Sequence, residues 1–139
     1  MSVDYKTEWL GDMAFEMDIG GHKVRMDSSA EFGGEDSGPR PKPLILAGMT
    51  GCTGMDVVSI LKKMKEPVDY FNMKVETELT TEHPYTYTKV HLIYRIGGKG
   101  LNHDNVNKAC RLSREKYCGG IALVEKAVDF SYEVQIEDL

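Results

Sequence analysis

No two cysteines in this chain stand as CxxC, and the three present make an odd number. A secreted disulfide framework and a thioredoxin-like dithiol are both poor fits, and a reducing cytoplasm suits free thiols better. The four histidines, His22, His83, His91 and His103, are scattered, and none lies at a zinc-site spacing from a cysteine. No metal is expected on that ground. GxGxxG, the P-loop and GxSxG are missing, and GGKGLNHD lacks the terminal Ser/Thr of a Walker A loop, so no cofactor is expected either. The first residues, MSVDYKTEWLGD, are polar from the second onward, unlike a secretory signal. The longest apolar run, Leu44 to Leu61, is interrupted by Gly, Thr, Ser and Asp56, a poor membrane span. The formal charge of −5 argues against nucleic acid or an anionic membrane surface as a partner.

What is present fits one ordinary soluble domain over residues 1–139, with 41% hydrophobic and 28% charged residues. Ala14 to Ile19 alternates apolar and polar, Gly20-Gly21 suits a two-residue hairpin turn, and His22 to Met26 reads as the returning strand. Ser28 to Arg40, rich in glycine, serine and acid, reads as a loop. Pro41 and Pro43 open a long helix, apolar on nearly every side to Leu61 and closed by Lys62, Lys63 and Lys65. Such a helix belongs at the centre of a fold or at an interface. Strands are expected over Met73 to Leu79 and Tyr85 to Ile96. A second helix, capped by Asn102 or Asp104, should run to about Tyr117 with Val106, Ala109 and Cys110 on its buried face. Val128 to Ile136 alternates again as a closing strand. The expected fold class is α+β, antiparallel sheet around a long central helix.

The stretch GMTGCTGMD, Gly48 to Asp56, sets three glycines around Cys52 inside that helix. Each glycine in a helix interior costs up to about 1 kcal/mol relative to alanine. Thr53-Gly54-Met55-Asp56 has capping-box spacing, so Cys52 is expected just before a helix's first turn, or within that turn if Thr50 caps. Either position favours a thiolate, because the helix dipole stabilises negative charge there. Asp56 opposes it: at i+4 in a continuous helix it shares the face of Cys52. Cys118 ends SREKYC before Gly119-Gly120 and reads either as a core cysteine or as a resolving thiol. Cys110, about 12 Å from Cys118 along a continuous helix, reads as core.

PRPKPLILAGMTGCTGMDVVSILKKM, followed about sixty residues later by LSREKYCGG, resembles the OsmC/Ohr superfamily of osmotically inducible and organic hydroperoxide resistance proteins. It is most similar to the branch with a GGCTGxDVVSIL-like helix. The resemblance covers essentially the whole chain and implies an OsmC-like fold: an intertwined α+β homodimer with the long Cys-bearing helices at its centre. It also implies a two-cysteine thiol peroxidase acting on organic hydroperoxides in oxidative-stress defence. Carried over by motif, Cys52 is peroxidatic and Cys118 resolving, and an external dithiol, of lipoyl type or a small thiol, reduces the disulfide. Two features depart from the hydroperoxide-resistance branch. Its glutamate ten residues before the first cysteine is Lys42 here, and its N-terminal arginine has no match from Trp9 to Asp18, with Arg40 as a substitute cation or a plain loop residue. A second reading is a dimeric module that holds a small apolar or acyl ligand between its long helices, suggested by the missing glutamate and by Met13, Met17, Met49, Met55 and Met64, since methionine lines adaptable apolar pockets.

Overall fold

Gly20 and Gly21 have φ of 59° and 84°, the left-handed pair that a tight hairpin turn requires. They join β2 (Ala14–Ile19) to β3 (His22–Met26), and β1 (Lys6–Gly11) pairs on the other side of β2. All pairing in this sheet is antiparallel, with Met17 opposite Val24 and Ile19 opposite His22. The computed structural model describes residues 1–139 as two compact units, Met1–Ala47 and Gly48–Leu139. This hairpin sheet belongs to the first. The loop after β3 is gathered around the buried Asp27, which accepts hydrogen bonds from Ser28 N at 2.7 Å, Ser37 N at 3.0 Å, Ser37 Oγ at 2.5 Å and Glu35 N at 3.3 Å. These donors hold the Asp27 carboxyl well below the usual carboxylate range.

The long helix, α1, runs unbroken from Pro43 to Lys63. By length and composition it could cross a membrane, with a mean hydropathy of 1.7. It nevertheless carries a half-buried Asp56, and Met49, Thr53, Val57 and Leu61, each four residues after the last, form one buried stripe. In the second unit that stripe belongs to a core shared with Leu92, Tyr94 and Ile96 of β5.

The second sheet has the order β4 (Val68–Leu79), β5 (Tyr87–Gly98), β6 (Asp129–Asp138). As the middle strand β5 is buried on both faces from Leu92 to Tyr94, which is why its sequence is continuously apolar there rather than alternating. β4 and β5 are antiparallel, with Met73 opposite Tyr94. β6 departs from the expected antiparallel pattern. It runs parallel to β5, with Val134 opposite Tyr94. The reason is the connection: residues 99–128 carry α2 (His103–Leu112) and α3 (Gly119–Glu125), and a helical crossover returns the chain in the same direction.

Candidate functional site

The site is built where α1 meets the join between α2 and α3. Asn102 caps α2, its side chain accepting from Asn105 N at 3.1 Å, and Val106, Ala109 and Cys110 are buried, as the helical spacing indicates. The α-helical ladder ends at Leu112. Residues Ser113–Tyr117 form a wider π-helical turn, closed by a bond from Cys118 N to Ser113 O at 2.8 Å. Such turns recur at functional sites because they reorient side chains without breaking the chain's course. Cys118 therefore does not end a continuous helix, as its sequence suggests. It is the extended N-cap residue of α3, and Gly119-Gly120 begin that helix.

Cys52 is also placed differently from the expectation. It lies in the middle of α1, and neither Thr50 nor Thr53 caps a helix start. Thr53 is instead fully buried and uses its hydroxyl elsewhere. The proposed dipole effect at Cys52 thus lacks the helix terminus it needs.

The fold brings the two sulfurs together across the long sequence separation. One ligand atom each from Cys52, Asp56 and Cys118 lies within 4.8 Å of the other two. All three cysteines are free thiols. Cys118 is almost wholly buried, accepts from Ile121 N at 3.2 Å, and lies 4.0 Å from Met49 O. Burial pushes its thiol up to about 11, only partly offset by the Ile121 N–H, with the neighbouring Cys52 raising it further. Cys110 has no exposure, and burial pushes its thiol up to about 12, in keeping with a core residue.

Glycine makes this approach possible, but not the three glycines that surround Cys52. Gly48 and Gly51 face open space, and a β-carbon on Gly54 would meet only the mobile end of Met73. Gly120 is the one against the site: a β-carbon there would lie 3.0 Å from Met49 Cα and 3.6 Å from Cys118 Sγ.

Sequence reading flagged Asp56 but missed its partners. Ser113 Oγ donates to Asp56 Oδ2 at 3.1 Å. Thr53 Oγ1 lies 2.7 Å from Ser113 Oγ and 2.6 Å from the Tyr94 hydroxyl. Each hydroxyl carries one proton. With Ser113's proton directed to Asp56, Thr53 must donate to Ser113, and Tyr94 to Thr53. The result is a one-way chain from the sheet to the carboxylate, with Tyr94, Thr53 and Ser113 all fully buried. Burial holds the Tyr94 phenol well above its usual range, so it stays a donor. The T-x-x-D spacing was the available signal: it marks one face of a helix as readily as a cap.

Two thiols and a carboxylate are also a donor set that zinc accepts, although no sequence spacing indicates it. A cleft of about 410 Å³ opens beside Asp56, with Ile60, Met64, Leu112 and Tyr117 among its walls and Lys63 on its lining. Arg40, the candidate cation, belongs to the first unit and pairs with Asp36 at 2.8 Å, which is the plain loop role. Lys42 lies in that unit as well, just before α1.

A family model described as OsmC-like protein matches residues 34–133. Protein YhfA of Escherichia coli strain K12 is 30% identical over 132 residues, covering 94% of this chain and 96% of YhfA. Among solved structures, a hypothetical protein from Aquifex aeolicus VF5 superposes with a TM-score of 0.80 at 26% identity, over 99% of this chain and 100% of its own. The organic hydroperoxide resistance protein OhrB of Bacillus subtilis superposes with a TM-score of 0.64 at 18% identity, over 96% of this chain and 98% of its own, a likeness of fold.

Proposed function

This chain belongs to the OsmC-like protein family, and on that premise we propose that it is a two-cysteine peroxidase for organic hydroperoxides. The observation that carries the reading is the meeting of Cys52 and Cys118, within 4.8 Å in the reduced state. Cys52, half-buried, attacks the hydroperoxide and becomes a sulfenic acid. Cys118, buried beside it, condenses with that acid to a disulfide, and an external dithiol of lipoyl type or a small thiol restores both thiols. The apolar walls of the cleft beside Asp56 suit the organic part of such a substrate.

The working form is a homodimer in the cytoplasm, each chain acting as a single OsmC-like domain. The family match spans the boundary between the two units, which supports that reading. On α1, Met55 is 77% exposed and Val58 49% exposed, while Gly48 and Gly51 leave the backbone open to close approach. A second copy of the helix would cover such a face. A ligand-binding role without redox chemistry is the second reading, favoured by the same apolar cleft.

The test is a thiol count on reduced protein before and after one equivalent of cumene hydroperoxide, with hydrogen peroxide in parallel. Loss of two thiols, mapped by mass spectrometry to Cys52 and Cys118 in a protein that runs as a dimer, is the expected result. Unchanged thiols would remove the peroxidase reading, and a co-purified ligand in native mass spectrometry would then support the binding role.

A further inference from the structure

We propose that Asp56 is the proton carrier of this site, taking the proton of the attacking thiol and returning it to the leaving alkoxide. The inference rests on the peroxidase reading and deepens it. Breaking an O–O bond heterolytically leaves an alkoxide, which needs a proton as it departs, while a thiol must first lose one. The cluster holds one group able to do both: a carboxylate whose oxygen is within 4.8 Å of Cys52 Sγ and Cys118 Sγ. Ser113 holds Oδ2 at 3.1 Å, leaving the other oxygen for exchange. The Tyr94–Thr53–Ser113 chain fixes the carboxylate's direction through fully buried hydroxyls. The cleft on which Asp56 opens gives substrate and water a route to it. The other titratable groups nearby are Lys63 from α1 and Tyr117 from the π-helical turn, both lining that cleft, and the two thiols themselves.

In the first step the Cys52 proton passes to Asp56, directly or through one water. The thiolate attacks the terminal oxygen of ROOH, so the S–O bond forms as O–O breaks. The alkoxide leaves with the electron pair and takes the proton from Asp56 as ROH. The terminal oxygen keeps its own hydrogen as Cys52–SOH. Sulfur is oxidised by two electrons and the peroxide reduced by two. In the second step Asp56 accepts the Cys118 proton, Cys118 attacks Cys52 Sγ, S–S forms as S–O breaks, and the departing hydroxide takes the proton as water. The same carboxylate serves both steps because both sulfurs lie in its reach.

Asp56→Asn separates proton transfer from the rest. Two reactions of Cys52 are timed from pH 5 to 9 by mass spectrometry: oxidation by cumene hydroperoxide, and alkylation by iodoacetamide, whose iodide leaving group needs no proton. The expected result is a fall of about 100-fold in the peroxide rate, the ordinary size of a general acid–base contribution, and a smaller fall in alkylation, which shares the loss of the thiol proton but not the protonation of a leaving group. Asp56→Glu should recover part of the rate. A peroxide rate in Asp56→Asn within about threefold of wild type overturns the inference alone. Equal falls in both reactions also overturn it, since Asp56 would then give no proton to the leaving alkoxide. A wild-type protein inert to cumene hydroperoxide overturns the peroxidase reading, and this inference with it.

Discussion

Gly120 and Cys52 are so close that a β-carbon on Gly120 would stand 3.3 Å from the Cys52 β-carbon, and 3.0 Å from Met49 Cα. The second contact is with helix backbone, which yields less readily than a side chain. Gly120→Ala should therefore displace the start of α3 by a few tenths of an ångström, and Cys118 with it. Overpacking costs about 1–3 kcal/mol. Alanine's better helix propensity returns up to about 1 kcal/mol, so the net loss of stability should lie between about 0 and 3 kcal/mol. Disulfide formation should suffer more than stability does. Chemical denaturation and the rate of disulfide formation after a hydroperoxide pulse measure the two effects separately.

The three thiols should react in a fixed order. Iodoacetamide at pH 7 should label half-buried Cys52 first, then Cys118, and Cys110 only on unfolding. Cys118 lags because burial raises it to about 11, and Cys110 stays silent because burial raises it to about 12 with no exposure. Below its pKa a thiol's reactive fraction grows about tenfold per pH unit, so Cys118 labelling should accelerate about 100-fold between pH 7 and 9. Mass spectrometry of timed digests gives the order. Cys110 labelling as fast as Cys118 in native protein would contradict the buried placement.

Asp27 should make the loop that follows β3 sensitive to acid. Four hydrogen bonds stabilise its ionised form and lower its folded-state pKa below that of an unfolded aspartate. Its contribution to stability is thus complete above the unfolded value of about 4 and is lost as pH falls toward the folded one. Asp27→Asn should melt at a lower temperature than wild type by a constant margin above about pH 5. That margin should shrink as the pH falls below about 4. Paired thermal melts across this range check both the sign and the window.

Much of this molecule is legible in its residues because local chemistry dictates it. Gly20-Gly21 specifies the hairpin, since a turn with two positive φ values leaves little choice of residue. The helix ends of α1 and the Asn102 cap follow from prolines, lysines and a short polar side chain. The parallel pairing of β6 is not legible in its alternation, which describes two faces and says nothing of strand direction. Its sign lay in the long connection, and two short helices separated by a π-helical turn disguised that connection. The reading of Thr53 as a cap failed for a related reason. A hydroxyl three residues before an acid satisfies a helix start or projects from one helix face, and only burial against Tyr94 and Ser113 selects the second.

By itself, the sequence determined the hairpin, the long helix, the start of α2, the family likeness and the identity of the two candidate cysteines, because these depend on local preferences and on motifs that are contiguous in the chain. The resemblance implied that Cys52 and Cys118 pair, but the tertiary structure alone decided how closely they lie as free thiols, that Asp56 joins them, and that Gly120 rather than the glycines beside Cys52 admits the contact. Those relations join residues far apart in the chain. They arise only when a buried core brings one face of α1 against the start of α3, and no spacing within either segment encodes that distance.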